Sequence, residues 1–222
     1  MSPETTGVER MLRDIEREVR LTRDLTGREH FAPRVTAAIA RVPRDAFVGA
    51  DVRAFAYENG PLPIGHGQTI SQPYIVALMT DLLDPEPDDV ILEVGTGSGY
   101  QAAVLADLVS RVYTVEIIGA LSTLAVDRLE ALGYRNVEAR VGDGYHGWPK
   151  HAPYDGILVT AAAPHIPPPL VEQLKPGARL VIPVGEPHFS QQLVLVEKAT
   201  DGSVSDQVIL PVAFVPLTGS HY

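Results

Sequence analysis

Residues able to do chemistry cluster in a few short stretches of this chain. Glu93-Val94-Gly95-Thr96-Gly97-Ser98-Gly99 sets an acid two positions ahead of three glycines at alternate positions. Glu116 ends the run Arg111-Val112-Tyr113-Thr114-Val115, 21 residues beyond Gly95, and Asp143 stands between Gly142 and Gly144. Upstream, Gln68-Thr69-Ile70-Ser71-Gln72-Pro73 crowds hydroxyls and amides between apolar residues. None of these stretches holds a Ser-His-Asp arrangement. His66, His146, His151 and His165 lack metal-ligand spacing, and the absence of cysteine excludes thiolate catalysis, disulfides and cysteine metal sites. What remains is recognition chemistry: backbone approach, hydrogen bonding and carboxylate charge.

The glycine spacing selects among ligands. A dinucleotide fingerprint reads G-x-G-x-x-G, with a pyrophosphate on the helix N-terminus. Here Glu93-x-Gly95-x-Gly97-x-Gly99 is one residue tighter, and a carboxylate at Glu93 would repel a pyrophosphate while suiting an ammonium and a sulfonium. No Walker lysine follows, which argues against a nucleoside triphosphate. S-adenosyl-L-methionine fits these residues best, although a glycine-rich turn alone is a weak signal and some bind nothing. Glu116 is placed to bond both ribose hydroxyls or to face solvent at a strand end. Asp143 is placed to accept from an adenine amino group or simply to make an Asp-Gly turn. Ser71 stands where a substrate residue or the N-cap of a following helix would stand.

These residues need elements to hold them. Val90 to Val94 is a short β-branched run of the kind buried on both faces of a parallel sheet. The same pattern predicts strands at 111–116, 137–141, 154–160 and 178–184, alternating with helices at 101–106, 121–132 and 168–174. Gly133 stops the second of these helices, and Lys175-Pro176-Gly177 reads as a turn. Strands at 192–197 and 208–211 are expected to be antiparallel or peripheral. Ahead of this alternation lie a helix from Glu9 to Leu25, with Met11, Leu12, Ile15, Val19 and Leu21 on one face, and a helix from Pro33 to Arg41. Residues 1–8 read as loose, and Pro73 opens a helix through Leu83. Three prolines and three glycines from Tyr57 to Pro73 argue against any regular element there. The fold class is α/β: a doubly wound, mainly parallel, Rossmann-like sheet with N-terminal helices and an antiparallel C-terminal edge. One domain is expected over 1–222. Residues 1–75 form a helical and substrate-loop region, 76–200 the cofactor-binding core, and 201–222 a C-terminal strand and tail.

The totals set bounds. With 222 residues the chain buries a sizeable core, and 45% hydrophobic with 21% charged residues is ordinary for a globular protein. A formal net charge of −10 argues against nucleic acid as the main partner. No apolar run approaches the length of a membrane span or a signal core. A cytoplasmic monomer with no membrane association is expected.

Ile64-Gly65-His66-Gly67-Gln68-Thr69-Ile70-Ser71-Gln72-Pro73 resembles the signature of the protein-L-isoaspartate O-methyltransferases, within the class I S-adenosylmethionine-dependent superfamily. Glu93 through Tyr100 is similar to that family's cofactor loop. Gly142-Asp143-Gly144, Pro153 through Thr160, Leu174-Lys175-Pro176-Gly177 and Val215-Pro216-Leu217-Thr218 follow in the family's order. The likeness covers roughly residues 8–219. Two departures stand out: His66 where a glutamine or other polar residue is common, and Ile117 where an arginine is common.

The resemblance implies an enzyme that moves a methyl group from S-adenosyl-L-methionine to the free carboxylate of L-isoaspartyl residues in damaged proteins and peptides. The ester then closes to a succinimide, and S-adenosyl-L-homocysteine is released. It assigns Ser71 as the catalytic residue that positions the carboxylate, with Thr69, Ile70, Gln72 and Thr160 around the substrate. It places Gln68, Glu93, Gly95, Thr96, Gly97, Ser98, Glu116, Asp143, Gly144 and Thr218 at the cofactor. Two other readings stay open: a relative that methylates an aspartyl residue of a dedicated peptide, and a cofactor-binding module that does not catalyse.

Overall fold

The computed structural model describes residues 6–186 and 190–219. Seven strands form one sheet: β3 (Val90–Val94), β4 (Arg111–Glu116), β5 (Val137–Val141), β6 (Tyr154–Val159), β7 (Leu174–Val184), β8 (Gln191–Lys198) and β9 (Val204–Val212). Their order across the sheet is β5-β4-β3-β6-β7-β8-β9. Strands β3 to β7 pair in parallel, and β8 and β9 add an antiparallel edge. The helices are α1 (Gly7–Thr26), α2 (Pro33–Arg41), α3 (Pro73–Leu83), α4 (Tyr100–Ala106), α5 (Gly119–Ala131) and α6 (Pro168–Glu172).

Apart from Glu93, strand β3 is apolar without alternation because both of its faces are covered. Ile91 joins a core with Ile39, Leu78, Met79 and Val104 from the helices on one face. Leu92 joins a second core with Ile157, Leu170 and Leu180 on the other. Each of these fully buried aliphatic side chains contributes about 1.5–3 kcal/mol of transfer free energy. Strand order reverses at β3, since β4 follows on one side and β6 returns on the other. The loops leaving β3, β4, β5 and β6 therefore converge at one edge.

Several expectations need correction. Residues 57–73 are not free of regular structure: β1 (Leu62–Gly65) and β2 (Gln68–Ile70) pair as an antiparallel ribbon. The turn is His66-Gly67, both at positive φ (53° and 71°), the geometry that matches the twist of a tight hairpin. Glycine here builds the hairpin instead of breaking the segment. Helix α1 starts two residues early because Thr6 and Glu9 form a reciprocal capping box, with bonds of 3.2 and 3.0 Å. Leu21, assigned to the buried stripe with Met11, Ile15 and Val19, is instead 73% exposed. It lies two residues past Val19 and so projects from the opposite side of the helix. Lys175-Pro176-Gly177 is a bulge within β7, where Tyr154 pairs with Leu174 but Gly156 pairs with Arg179. Strand β9 also begins four residues earlier than expected.

Candidate active site

Ser71 sits at the corner where β2 turns into α3, and three contacts fix that corner. Ile70 is buried, Pro73 pre-sets the first turn of α3, and the Arg44 guanidinium donates through Nη2 to the Ser71 carbonyl at 2.7 Å. Ser71 does not cap the helix. Gln72 holds the cap position without a side-chain bond, and Asn59 Oδ1 accepts from the Tyr74 N–H at 3.1 Å. A loop residue 15 positions upstream thus satisfies a helix N–H. Ser71 Oγ is left without a hydrogen-bond partner among the described residues.

The corner faces a crevice of about 750 Å³, counted to its open mouth, at the carboxyl end of β3. Its lining includes Gln68, Thr69, Ile70, Ser71, Gly95, Thr96, Gly97, Ser98, Glu116, Gly144, Thr160 and Thr218. Residues from six separate parts of the chain meet there, as the sequence led one to expect. Gly95 lies at φ +97°, and a Cβ on it would run into Thr160 Oγ1. That hydroxyl donates to the Gly95 carbonyl at 2.6 Å and so ties the end of β6 to the glycine loop. The Gly97 N–H donates to Glu116 Oε2 at 2.8 Å, and the Ile118 N–H donates to Glu116 Oε1 at 2.9 Å. A carboxylate offers about four acceptor sites, so Glu116 keeps capacity for two further donors while the backbone fixes its orientation. A flat-faced group bearing vicinal hydroxyls fits this arrangement.

Three expected residues are not on the crevice wall. Gln72 lines only an adjoining cavity of about 980 Å³, likewise counted to its open mouth, whose wall also takes in Thr69, Ser71, Thr160, Phe214 and Val215. Asp143 instead closes the turn after β5, accepting from the Tyr145 N–H at 3.0 Å, with Gly219 of the tail packed against its carboxylate. Glu93 is fully buried beneath the loop. Side chains alternate along a strand, and Glu93 points into the face covered by the helices. There the Thr114 hydroxyl donates to Glu93 Oε2 at 2.6 Å, and Thr96 Oγ1 lies 2.6 Å from Thr114 Oγ1. Burial, with Glu116 nearby, pushes the Glu93 carboxyl up to about 8. The charge at the crevice therefore comes from Glu116, and Glu93 braces the loop from behind.

The sequence reading missed the apolar part of the wall. Ile117 and Ile118 line the crevice beside Glu116, and Val215, Pro216 and Leu217 close it from the tail. Two backbone bonds lace the tail to the segment after β6: Ala162 N–H to Val215 O at 2.8 Å and Leu217 N–H to Ala162 O at 2.7 Å. The apolar pair directly after the strand-end acid was visible in the sequence. The apolar tail was expected to pack back with Thr218 at the site; which backbone groups it bonds was not visible, because their partner lies more than fifty residues upstream.

A crevice at the strand-order reversal lined by glycines at alternate positions, with an acid at the end of the next strand, fits a Rossmann-like methyltransferase. A model of the protein-L-isoaspartate(D-aspartate) O-methyltransferase family matches residues 17–222. Protein-L-isoaspartate O-methyltransferase 2 of Syntrophobacter fumaroxidans is 62% identical over 212 residues, 96% of this chain and 86% of that protein. The Polaromonas sp. protein of the same name is 64% identical over 211 residues, 95% of this chain and all of that one. A solved protein-L-isoaspartate O-methyltransferase superposes with a TM-score of 0.83 at 26% identity, over 96% of this chain and 66% of that one. A Plasmodium falciparum protein solved with S-adenosyl-L-homocysteine shares the fold, with a TM-score of 0.77 at 22% identity over 97% of this chain and 99% of that one. The chain belongs to the protein-L-isoaspartate(D-aspartate) O-methyltransferase family.

Proposed function

We propose that the chain methylates the free carboxylate of L-isoaspartyl residues in damaged proteins and peptides, initiating their repair through a succinimide. The observation that carries this reading is the place of Ser71. Its residue lies on the wall common to the glycine-lined crevice and the adjoining cavity, and its hydroxyl is unengaged by the protein. S-adenosyl-L-methionine is the cofactor, and when bound it supplies an electrophilic methyl group on a sulfonium.

The residues of the chain then have little bond-making to do. A substrate carboxyl has a reference pKa near 4 and is ionised at neutral pH, so no general base is needed. Ser71 donates to one carboxylate oxygen and holds the other free to attack. Thr69 and Thr160 stand on the same shared wall, and Gln72 borders the cavity that receives the peptide. Glu116 accepts the ribose hydroxyls, Ile117 and Ile118 flank the adenine, and Gly95, Thr96, Gly97 and Ser98 follow the backbone of the cofactor. Gln68 and Thr218 close the crevice from the ribbon and the tail. Orientation of this kind is worth about 7–11 kcal/mol of a bimolecular barrier.

In this reading the chain works as one domain and a monomer, in the cytoplasm. Among the described residues no helix is long and apolar enough to cross a membrane. The test is transfer of a labelled methyl group to paired peptides that differ only in an isoaspartyl or an aspartyl residue. Label on the isoaspartyl peptide alone is expected. Label on the aspartyl peptide alone would assign the chain to a different substrate, and label on neither would remove the transfer reading.

A further inference from the structure

Arg44, in the 3-10 turn Arg44–Phe47, is fully buried. A guanidinium away from water ordinarily sits against a carboxylate, because an uncompensated buried charge costs several kcal/mol. Among the described residues no carboxylate bonds Arg44. The adjacent Asp45 instead accepts from the Tyr57 hydroxyl at 2.6 Å. Arg44 turns to backbone: Nε donates to Ala56 O at 2.9 Å, and Nη2 donates to Ser71 O at 2.7 Å and to Gly60 O at 3.4 Å. Its guanidinium carbon lies 4.8 Å from the centre of the Tyr100 ring. Tyr100 opens α4 directly after the glycine loop and lines the crevice.

One side chain therefore joins three pieces of backbone to the first residue of the cofactor helix. Ala56 and Gly60 flank Asn59, which satisfies α3, and Ser71 carries the hydroxyl proposed to hold the substrate. The guanidinium also keeps a positive charge behind a site that receives an anion. We propose that Arg44 is a positioning residue for the transfer: its fork fixes the Ser71 peptide against the Tyr100 ring and so aims the Ser71 hydroxyl at the incoming carboxylate. This inference rests on the role given above to Ser71. A lysine keeps the charge but is a point donor on a flexible stem, unable to reproduce a planar fork that serves separate carbonyls.

The experiment is a double-mutant cycle between Arg44→Lys and Ser71→Ala, read as kcat/KM for an isoaspartyl peptide and as the Kd of S-adenosyl-L-homocysteine. Arg44→Lys alone should lower kcat/KM at least tenfold, through kcat, while the Kd of S-adenosyl-L-homocysteine stays within twofold. In the Ser71→Ala background the same substitution should cost less than twofold, since there is no hydroxyl left to aim. An equal loss in both backgrounds would make Arg44 a structural residue only and overturn this inference while leaving Ser71 in place. No loss in the native background would overturn it as well. A Ser71→Ala enzyme at full rate would overturn the Ser71 reading, and this one with it. Near-UV circular dichroism checks the fold, and Arg44→Gln carries the same cycle if the lysine variant does not fold.

Discussion

The two edges of the parallel sheet are both polar, yet they are built on opposite plans. At the amino-terminal edge, Lys175 Nζ bonds both Asp155 oxygens at 2.7 and 2.8 Å, and Arg179 pairs with Glu197 at 2.9 Å. Arg34 pairs with Asp84 and Glu86 close by, at 2.6 and 2.8 Å. This edge has the denser formal charge, and its groups satisfy one another. At the carboxyl edge the charge is sparse, but hydrogen-bonding capacity is left over: the Ser71 hydroxyl is unengaged, and Glu116 keeps acceptor sites beyond its two backbone bonds. Unengaged polar groups held rigidly by backbone mark the site better than charge density does, because only such groups can bind something else without first breaking a bond.

Substitutions at the two edges should therefore separate sharply. The largest effect is expected from Gly95→Ala. The new methyl meets Thr160 on a backbone at φ +97°, and strain with steric loss should weaken S-adenosyl-L-homocysteine binding roughly a hundredfold or more by calorimetry. Next is Ser71→Ala, which should lower kcat/KM for an isoaspartyl peptide by about ten- to a hundredfold, the worth of one hydrogen bond to a charged group. Its affinity for S-adenosyl-L-homocysteine should stay within twofold, and a matching loss of affinity would break the division between the two cavities.

A subtler effect concerns Glu93, which lies beneath the crevice and outside it. An acid held up to about 8 keeps its proton in the folded protein after the unfolded chain has lost it, above about 4.5. Its contribution to stability is full below the lower value and is lost as pH rises toward the upper one. Glu93→Gln should remove that decline, so its stability relative to the parent should climb by up to ~1.4 kcal/mol per pH unit across the window. Denaturation curves that stay parallel from pH 5 to 8 would show that Glu93 is not sealed from solvent. The smallest effect belongs to the opposite edge. Lys175 and Asp155 are partly exposed (41% and 22%), so Lys175→Ala should cost about 1 kcal/mol or less and leave methyl transfer unchanged. A loss of transfer rate there would erase the contrast between the edges.

Much of this was legible in the sequence for local reasons. The boundaries of α2, β4 and β5 fell where proline placement and β-branched runs put them, since such signals act within a few residues. The ribbon β1–β2 was misread because the same glycines that break a helix make a tight hairpin, and composition does not separate the two outcomes. Glu93 and Asp143 were placed at the cofactor by their position in a motif. A side chain's facing depends on strand alternation and on what packs over it, and these turned one beneath the loop and the other against the tail.

The residue types and their spacing determined a glycine loop that lines a crevice and put Ser71 on the same wall, because backbone conformation and hydrogen-bond inventory are properties of the local chain. Only the tertiary structure decided which acids face the crevice, which backbone groups the tail bonds as it closes it, and that Arg44 stands behind Ser71. Each of those depends on segments far apart in the chain being packed into contact, and burial then fixes which polar groups are answered by the protein and which remain open to a substrate.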